Sequence, residues 1–129
     1  MITKYTFGKE ERLKSGQHIQ YLLKEGQTIS AFPFKIFWGD SKDPHQKFPA
    51  KTAILVPKRK FKRAVDRNFM KRRIREAYRL NKNLIYGPLQ EKDMNIKLVI
   101  LLLADEFLSF DRLDIGIREI LGKLADKIE

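Results

Sequence analysis

The chain has 129 residues, 43% of them hydrophobic, which suffices for a single domain, residues 1–129, with a buried core. It contains no cysteine, so disulfides and cysteine-ligated metals are excluded, a composition that suits a cytoplasmic protein. The formal net charge of +11 sits almost wholly in one segment, because Lys58 to Lys82 holds 12 of the 27 basic residues and only Asp66 and Glu76 of the 16 acids.

The N-terminal stretch MITKYTFGKEERLK has no apolar run of signal-peptide type. "SGQHIQYLLKEG" then predicts a short helix, capped by Ser15, with Ile19, Leu22 and Leu23 on one face and Gly26 at its end. "TISAFPFKIFWGD" reads as one strand. Phe32, Phe34, Ile36 and Trp38 alternate onto a core side, and Lys35 and Phe37 point the other way. "SKDPHQKFP" is a turn-rich connection, and "AKTAILVP" a second strand ended by Pro57. Beyond the basic segment, "NKNLIYGPLQEKDMN" reads as a loop broken by Gly87 and Pro88. "IKLVILLLA" is apolar on both alternating faces, as in a buried strand of a partly parallel sheet. Its apolar core, Leu98 to Ala104, is the longest in the chain and far too short to span a bilayer. The last helix carries Leu113, Ile117, Ile120, Leu121, Leu124 and Ile128 in one stripe for the core, with Asp111 as its cap. This order gives an α+β fold, a two-layer α/β sandwich.

A cationic cluster in an otherwise near-neutral chain points to a polyanion, and nucleic acid is the commonest one. The plainer alternative, a solvated charged face, fits scattered charge better than clustered charge. From Ala64 onward the segment suits a helix. Arg67, Lys71, Arg75 and Arg79 recur every four residues and, with Asn68, Arg72 and Lys82, occupy an arc of roughly 140°. Val65, Phe69, Met70, Ile74 and Ala77 take the rest of the circle as a face to bury, with Asp66, Arg73 and Glu76 at its margins. Arginine forks donate paired hydrogen bonds to phosphate, and the Asn68 amide can both donate and accept. Lys58, Arg59, Lys60, Lys62 and Arg63 lead into the helix, whose N-terminal amides also favour anions.

"AVDRNFMKRRIREAYR" resembles the signature of the bacterial ribonuclease P protein component. Arg67, Asn68, Lys71, Arg72, Ile74, Arg75 and Glu76 match the motif, "ILVPKRKFKRAV" resembles the preceding strand and Lys-rich turn, and "RLKSGQHIQYLLKEG" the opening segment. Three positions depart from the family pattern. Phe69 replaces the third residue of its Arg-Asn-Arg core, Lys60-Phe61-Lys62 lacks a glycine and is one residue longer, and Ile19 and Leu23 stand where two phenylalanines are common.

The resemblance implies the order αβββαβα, a four-stranded mixed sheet and a left-handed βαβ crossover around the basic helix. It also implies a protein subunit of ribonuclease P, in which a catalytic RNA removes the 5′ leader of precursor tRNA. The catalytic RNA would be bound by Lys58, Arg59, Lys60, Lys62, Arg63, Arg67, Asn68, Lys71, Arg72, Arg75 and Arg79. The single-stranded leader would lie in a cleft with Arg12, Ile19, Leu23, Lys35 and Phe37. Magnesium would be held chiefly by RNA, with no membrane partner.

No protein catalytic constellation is apparent in the sequence. His18 and His45 lack ligand-spaced partners, His18 reads as a partly buried helix residue, and Asp105-Glu106 could bind a divalent ion, although acidic pairs ending a strand are usually only polar loop starters. A free-standing nuclease is therefore disfavoured. A non-enzymatic structural binder of RNA or DNA, of ribosomal or nucleoid type, would need the basic helix but neither the full Arg67-to-Glu76 signature nor the Lys35–Phe37 face.

Overall fold

The computed structural model describes residues 6–128; residues 1–5, part of the stretch read above for a signal sequence, and residue 129 lie outside the described residues. Helix α1 spans Gly16–Glu25, and the Ser15 hydroxyl accepts the His18 amide at 3.3 Å, as a helix cap should. At its end the Gly26 amide donates to the Leu22 carbonyl, and a Cβ on Gly26 would lie 2.6 Å from that oxygen. Only glycine fits so close an approach.

The predicted single strand from Thr28 to Asp40 is a hairpin. Strands β1, Gln27–Ala31, and β2, Phe34–Asp40, pair antiparallel across a turn at Phe32-Pro33, whose peptide bond is cis. Proline cannot donate to a ladder, so Pro33 marks the turn. Phe32 lies at the turn with 60% of its surface exposed, outside the predicted core, whereas Phe34, Ile36 and Trp38 are buried as expected.

Strands β3, Ala50–Leu55, and β4, Ile96–Leu102, complete a four-stranded mixed sheet in the order β1-β2-β4-β3. The all-apolar β4 is central, antiparallel to β2 and parallel to β3. On one face Phe34, Ile36, Trp38, Ile54, Ile96, Leu98, Ile100 and Leu102 join the core that three helices cover. On the other, Val99 and Ala53 pack with Leu13 and Leu22, so α1 adds a partial third layer to the expected two.

Helix α2, Ala64–Asn81, buries Met70, Ile74, Ala77 and Tyr78. Val65 and Phe69, predicted for that buried face, are 59% and 39% exposed, and the buried side of α2 runs instead through Met70, Ile74, Ala77 and Tyr78. The predicted loop after α2 is helix α3, Asn83–Glu91, an addition to the order αβββαβα. Pro88 forfeits one helical hydrogen bond, at a cost of about 3 kcal/mol, but Ile85, Tyr86 and Leu89 are completely buried and offset it. Helix α4, Phe110–Ile128, buries all six residues of its predicted stripe. Its cap is Ser109 rather than Asp111, since the Ser109 hydroxyl accepts the Arg112 amide at 3.1 Å and Asp111 lies inside the first turn. Gly116 lets α4 approach the hairpin turn, where a Cβ would meet Pro33 Cδ at 2.7 Å. No helix among the described residues is long and apolar enough to cross a membrane.

Lys82 is the largest departure from the wheel. It sits between α2 and α3, is wholly buried, and donates to Glu11 and to the Thr6 carbonyl. Tyr86 donates to the same Glu11 oxygen at 2.6 Å. The chain bends there and turns the ammonium inward, out of the predicted basic arc. Removing one partner of a buried ion pair leaves the other charge uncompensated, so Lys82→Met should cost about 3–5 kcal/mol in urea unfolding. Glu11→Leu combined with Lys82→Met should recover most of that loss. A single-variant cost under about 1 kcal/mol would mean the pair contributes little to holding the N-terminal segment.

Candidate nucleic-acid interface

The cationic turn is built on a buried ring. Phe61 is 4% exposed, and the Lys60 and Phe61 amides donate to the Pro57 carbonyl, curling Lys58 and Arg59 outward. Lys62 and Arg63 are also exposed, and Arg63 begins α2 without any side-chain cap bond. Lys60 instead folds back to donate to the Leu103 carbonyl at 2.6 Å.

Along α2 the predicted arc divides in the same way. Asn68 and Arg72 are exposed, Lys71 and Arg75 half-buried. Arg67 Nη1 donates to the Phe61 and Lys62 carbonyls, both at 2.9 Å, and so ties the turn to the helix. Arg79 forms a forked pair with Glu76 at 3.1 and 2.5 Å, and this pairing holds the Glu76 carboxyl below its ordinary pKa. Helical spacing gives no sign of these partners.

The residues predicted for the cleft meet on the sheet face that α1 covers only in part. Ile19, Leu23 and Phe37 pack in one cluster with Leu13, Leu22, Ala53, Val99 and Leu55. Strand register sets Phe37, Val99 and Ala53 in one row, and Lys35, Leu101 and Leu55 in the next. Helix α1 lies over the opposite end, where Leu22 reaches Gly39 and His18 Nδ1 is 3.1 Å from Lys97 Nζ. That leaves the Lys35 row half-buried, with the Lys35 ammonium 5.1 Å from the Phe37 ring centroid. His18 is exposed rather than partly buried, because α1 turns its Leu22 side to the sheet.

Arg12 connects the two regions. It bridges to Thr52 on β3, stacks 5.3 Å from the Phe7 centroid, and lines a cavity of about 210 Å³ with Ile19, Leu55 and Arg75. Partial burial, and secondarily the charge of Arg12, lowers the Arg75 pKa, although a guanidinium stays protonated at neutral pH. Two guanidiniums converging on one cavity form a seat for an anion. Through Arg12 and Lys14 this cavity adjoins a second groove of about 380 Å³, lined also by Lys9, Lys47, Lys51 and Lys97. Sequence reasoning missed that groove. Its one signal was a lysine at an alternating position in each of two apolar strands, Lys51 and Lys97, which the register places side by side. A cavity of about 580 Å³ adjoins that groove through His18, Asp43 and Lys97, and mixes Glu25, Asp40 and Asp43 with Lys42 and Lys97. Among the described residues no group of three or more His, Asp or Glu is placed to hold a metal ion.

The arginines of the arc are therefore separable by experiment. Arg67→Ala removes two charge-assisted hydrogen bonds and should lower unfolding stability by about 1–3 kcal/mol. Arg72→Ala, at an exposed position, should change it by less than about 0.5 kcal/mol. Equal urea midpoints for the two variants would show that the Arg67 bonds do not hold the turn.

A family model described as ribonuclease P matches residues 7–125. The ribonuclease P protein component of Porphyromonas gingivalis strain ATCC 33277 is 31% identical over 130 aligned residues, covering 99% of this chain and 94% of the relative. The ribonuclease P protein of Staphylococcus aureus superposes with a TM-score of 0.69 at 20% identity, over 92% of this chain and 98% of that one. That of Thermotoga maritima gives a TM-score of 0.68 at 23% identity, over 88% and 96%. The chain belongs to the ribonuclease P protein family: it is the non-catalytic protein subunit of an RNA-catalysed endoribonuclease that removes the 5′ leader of precursor tRNA.

Proposed function

We propose that the two cationic regions of this subunit serve two different RNAs. The turn from Lys58 to Arg63 and the outer side of α2 hold the ribonuclease P RNA, and the open sheet face beside α1 receives the single-stranded leader. The observation that carries this reading is the Lys35–Phe37 pair, a half-buried ring with an ammonium beside it on a sheet face that α1 leaves partly open. Single-stranded RNA is bound by that combination, a ring to stack a base and a cation for the backbone. The Arg12–Arg75 cavity lies between the two regions and suits the phosphates near the point where the RNAs meet.

Cleavage needs nothing from the protein beyond position and charge. The RNA supplies the reactive groups and the sites for magnesium, and the protein's cations reduce repulsion between the two RNAs, so less magnesium is required. Such a subunit works where tRNA is made, in the cytoplasm.

Reconstitution tests this directly. Protein mixed with a bacterial ribonuclease P RNA and precursor tRNA should support cleavage at a magnesium concentration where RNA alone is slow. Protein alone should cleave nothing, and robust cleavage without RNA would refute the reading. For RNA-subunit binding, neutralising about five or six phosphates predicts a log–log salt slope of roughly −4 to −5. A flat salt dependence would reduce the cationic arc to a solvated face.

Phe37→Ala addresses the leader. One base–aromatic stack is worth about 1–3 kcal/mol. The lower half of that range is expected here, because Ile19 and Leu23 offer no second ring. Mature tRNA, which lacks a leader, should bind wild type and variant alike. Equal losses on precursor and mature tRNA would exclude leader contact through Phe37.

A further inference from the structure

A second exposed aromatic group lies at the N-terminal half of α2, and neither cationic region accounts for it. Phe61, Phe107 and Phe69 form an edge-to-face chain. The Phe61 and Phe107 centroids are 5.4 Å apart at 72°, and those of Phe107 and Phe69 are 6.1 Å apart at 64°. Phe61 is buried in the helix-covered core, so it anchors the other two from beneath. Phe107 is 55% exposed and Phe69 39% exposed. The Arg73 guanidinium stacks 4.4 Å from the Phe69 centroid and donates to the Leu108 carbonyl at 3.4 Å, which steadies both α2 and the connection to α4. Beside Phe69 is a cavity of about 360 Å³ lined by Arg72, Arg73, Glu76 and Phe110.

We infer that Phe107 and Phe69 form a stacking platform for an unpaired nucleotide of the RNA subunit, with Arg72 on its phosphate; this rests on the subunit reading above. Rings already fixed by a buried neighbour lose little freedom when a flat partner settles on them, and every base has a face to offer. The charge nearby selects the occupant. Arg72 is exposed at the rim, and the acid lining the cavity, Glu76, is engaged by Arg79. Asp105 and Glu106, exposed just before Phe107, repel phosphate from that side, so the RNA backbone runs along the Arg72 side.

A protein partner fits less well. Stable interfaces use about 20–30 residues a side, whereas the exposed apolar surface here amounts to Phe69, Phe107 and the neighbouring Val65. Phe69 also stands where the resembling family motif carries arginine. The chain has replaced a donor by a ring and kept an arginine, Arg73, stacked upon it.

The test uses the full-length chain and a bacterial ribonuclease P RNA. Phe107→Ala and Phe107→Leu should each weaken RNA binding about tenfold with the salt slope unchanged, since a stack is lost and no charge is removed. Phe107→Tyr should bind as wild type does. Arg72→Ala should instead make the slope shallower by about 1. Chemical probing of the bound RNA should show an unpaired nucleotide protected by wild type and released by Phe107→Leu. Leu keeps the apolar bulk, so its loss separates stacking from packing, and thermal melts check that the variants fold. Wild-type affinity and an unchanged footprint in Phe107→Leu would overturn the inference alone. Failure of the wild-type protein to bind the RNA would overturn the subunit reading and this inference with it. A wild-type dimer that Phe107→Asp dissociates would reassign the platform to contact between copies.

Discussion

One buried ion pair joins the N-terminal segment to the helical layer, and the placement of the surface cations is built around it. Lys82, at the junction of α2 and α3, and Glu11, in the N-terminal segment, are both removed from solvent and joined directly. Two desolvated charges are tolerable only if their hydrogen-bonding capacity is met inside the protein. Here it is. Lys82 also donates to the Thr6 carbonyl and lies 4.9 Å from the Tyr86 ring centroid. The carboxylate of Glu11 accepts from Tyr86 on one oxygen and from the Gly8 amide, at 2.9 Å, on the other. Burial raises the pKa of Tyr86, and likewise that of Tyr78, whose hydroxyl accepts from Thr52 at 2.9 Å. Both phenols therefore stay protonated and able to donate.

This pair fixes the N-terminal segment beside β3, and several features follow. Leu13 donates to the Thr52 carbonyl at 3.0 Å, which sets the entry to α1 and brings Leu22 down on Val99 and Ala53. Arg12 is carried to the same cavity as Arg75. A lysine that sequence periodicity assigns to the RNA-facing arc is thus a structural residue, and its role is to place a different cation at that surface. The link from sequence to function runs through burial.

Regular segments were legible because a repeating pattern needs no knowledge of neighbours. The α4 stripe, the alternation of Phe34, Ile36 and Trp38, the apolar β4 and the exposed Asn68 and Arg72 of α2 all came from spacing alone. The misreadings occurred where a tertiary partner decided the outcome. Pro33 signalled the hairpin turn, but the apolar alternation on either side of it read as one strand. Gly87 and Pro88 signalled a break, yet the burial of Ile85, Tyr86 and Leu89 against α4 made α3 worth forming. The sheet face beside α1 was half legible: alternation separated Lys35 and Phe37 from the core, but only sheet order could show that Val99, Ala53 and Leu55 are their neighbours. Sequence spacing gave no sign of Phe61 as the anchor of the cationic turn.

Counting cations in the basic segment overstates how many are presented to solvent. Lys60 is held by Leu103, Arg67 by the turn carbonyls, Arg79 by Glu76, and Lys82 by Glu11. Each of these bonds satisfies a backbone or acidic group, and together they hold the remaining cations in place. Free lysines and arginines on a flexible segment would lose side-chain and backbone entropy on binding, which offsets part of the phosphate attraction. With Arg67 fixing the turn and Phe61 buried beneath it, Lys58, Arg59, Lys62 and Arg63 are presented on a preformed surface next to the exposed Asn68 and Arg72. The segment therefore divides into cations that shape the surface and cations that remain exposed on it, and the first group holds the second in a preformed array.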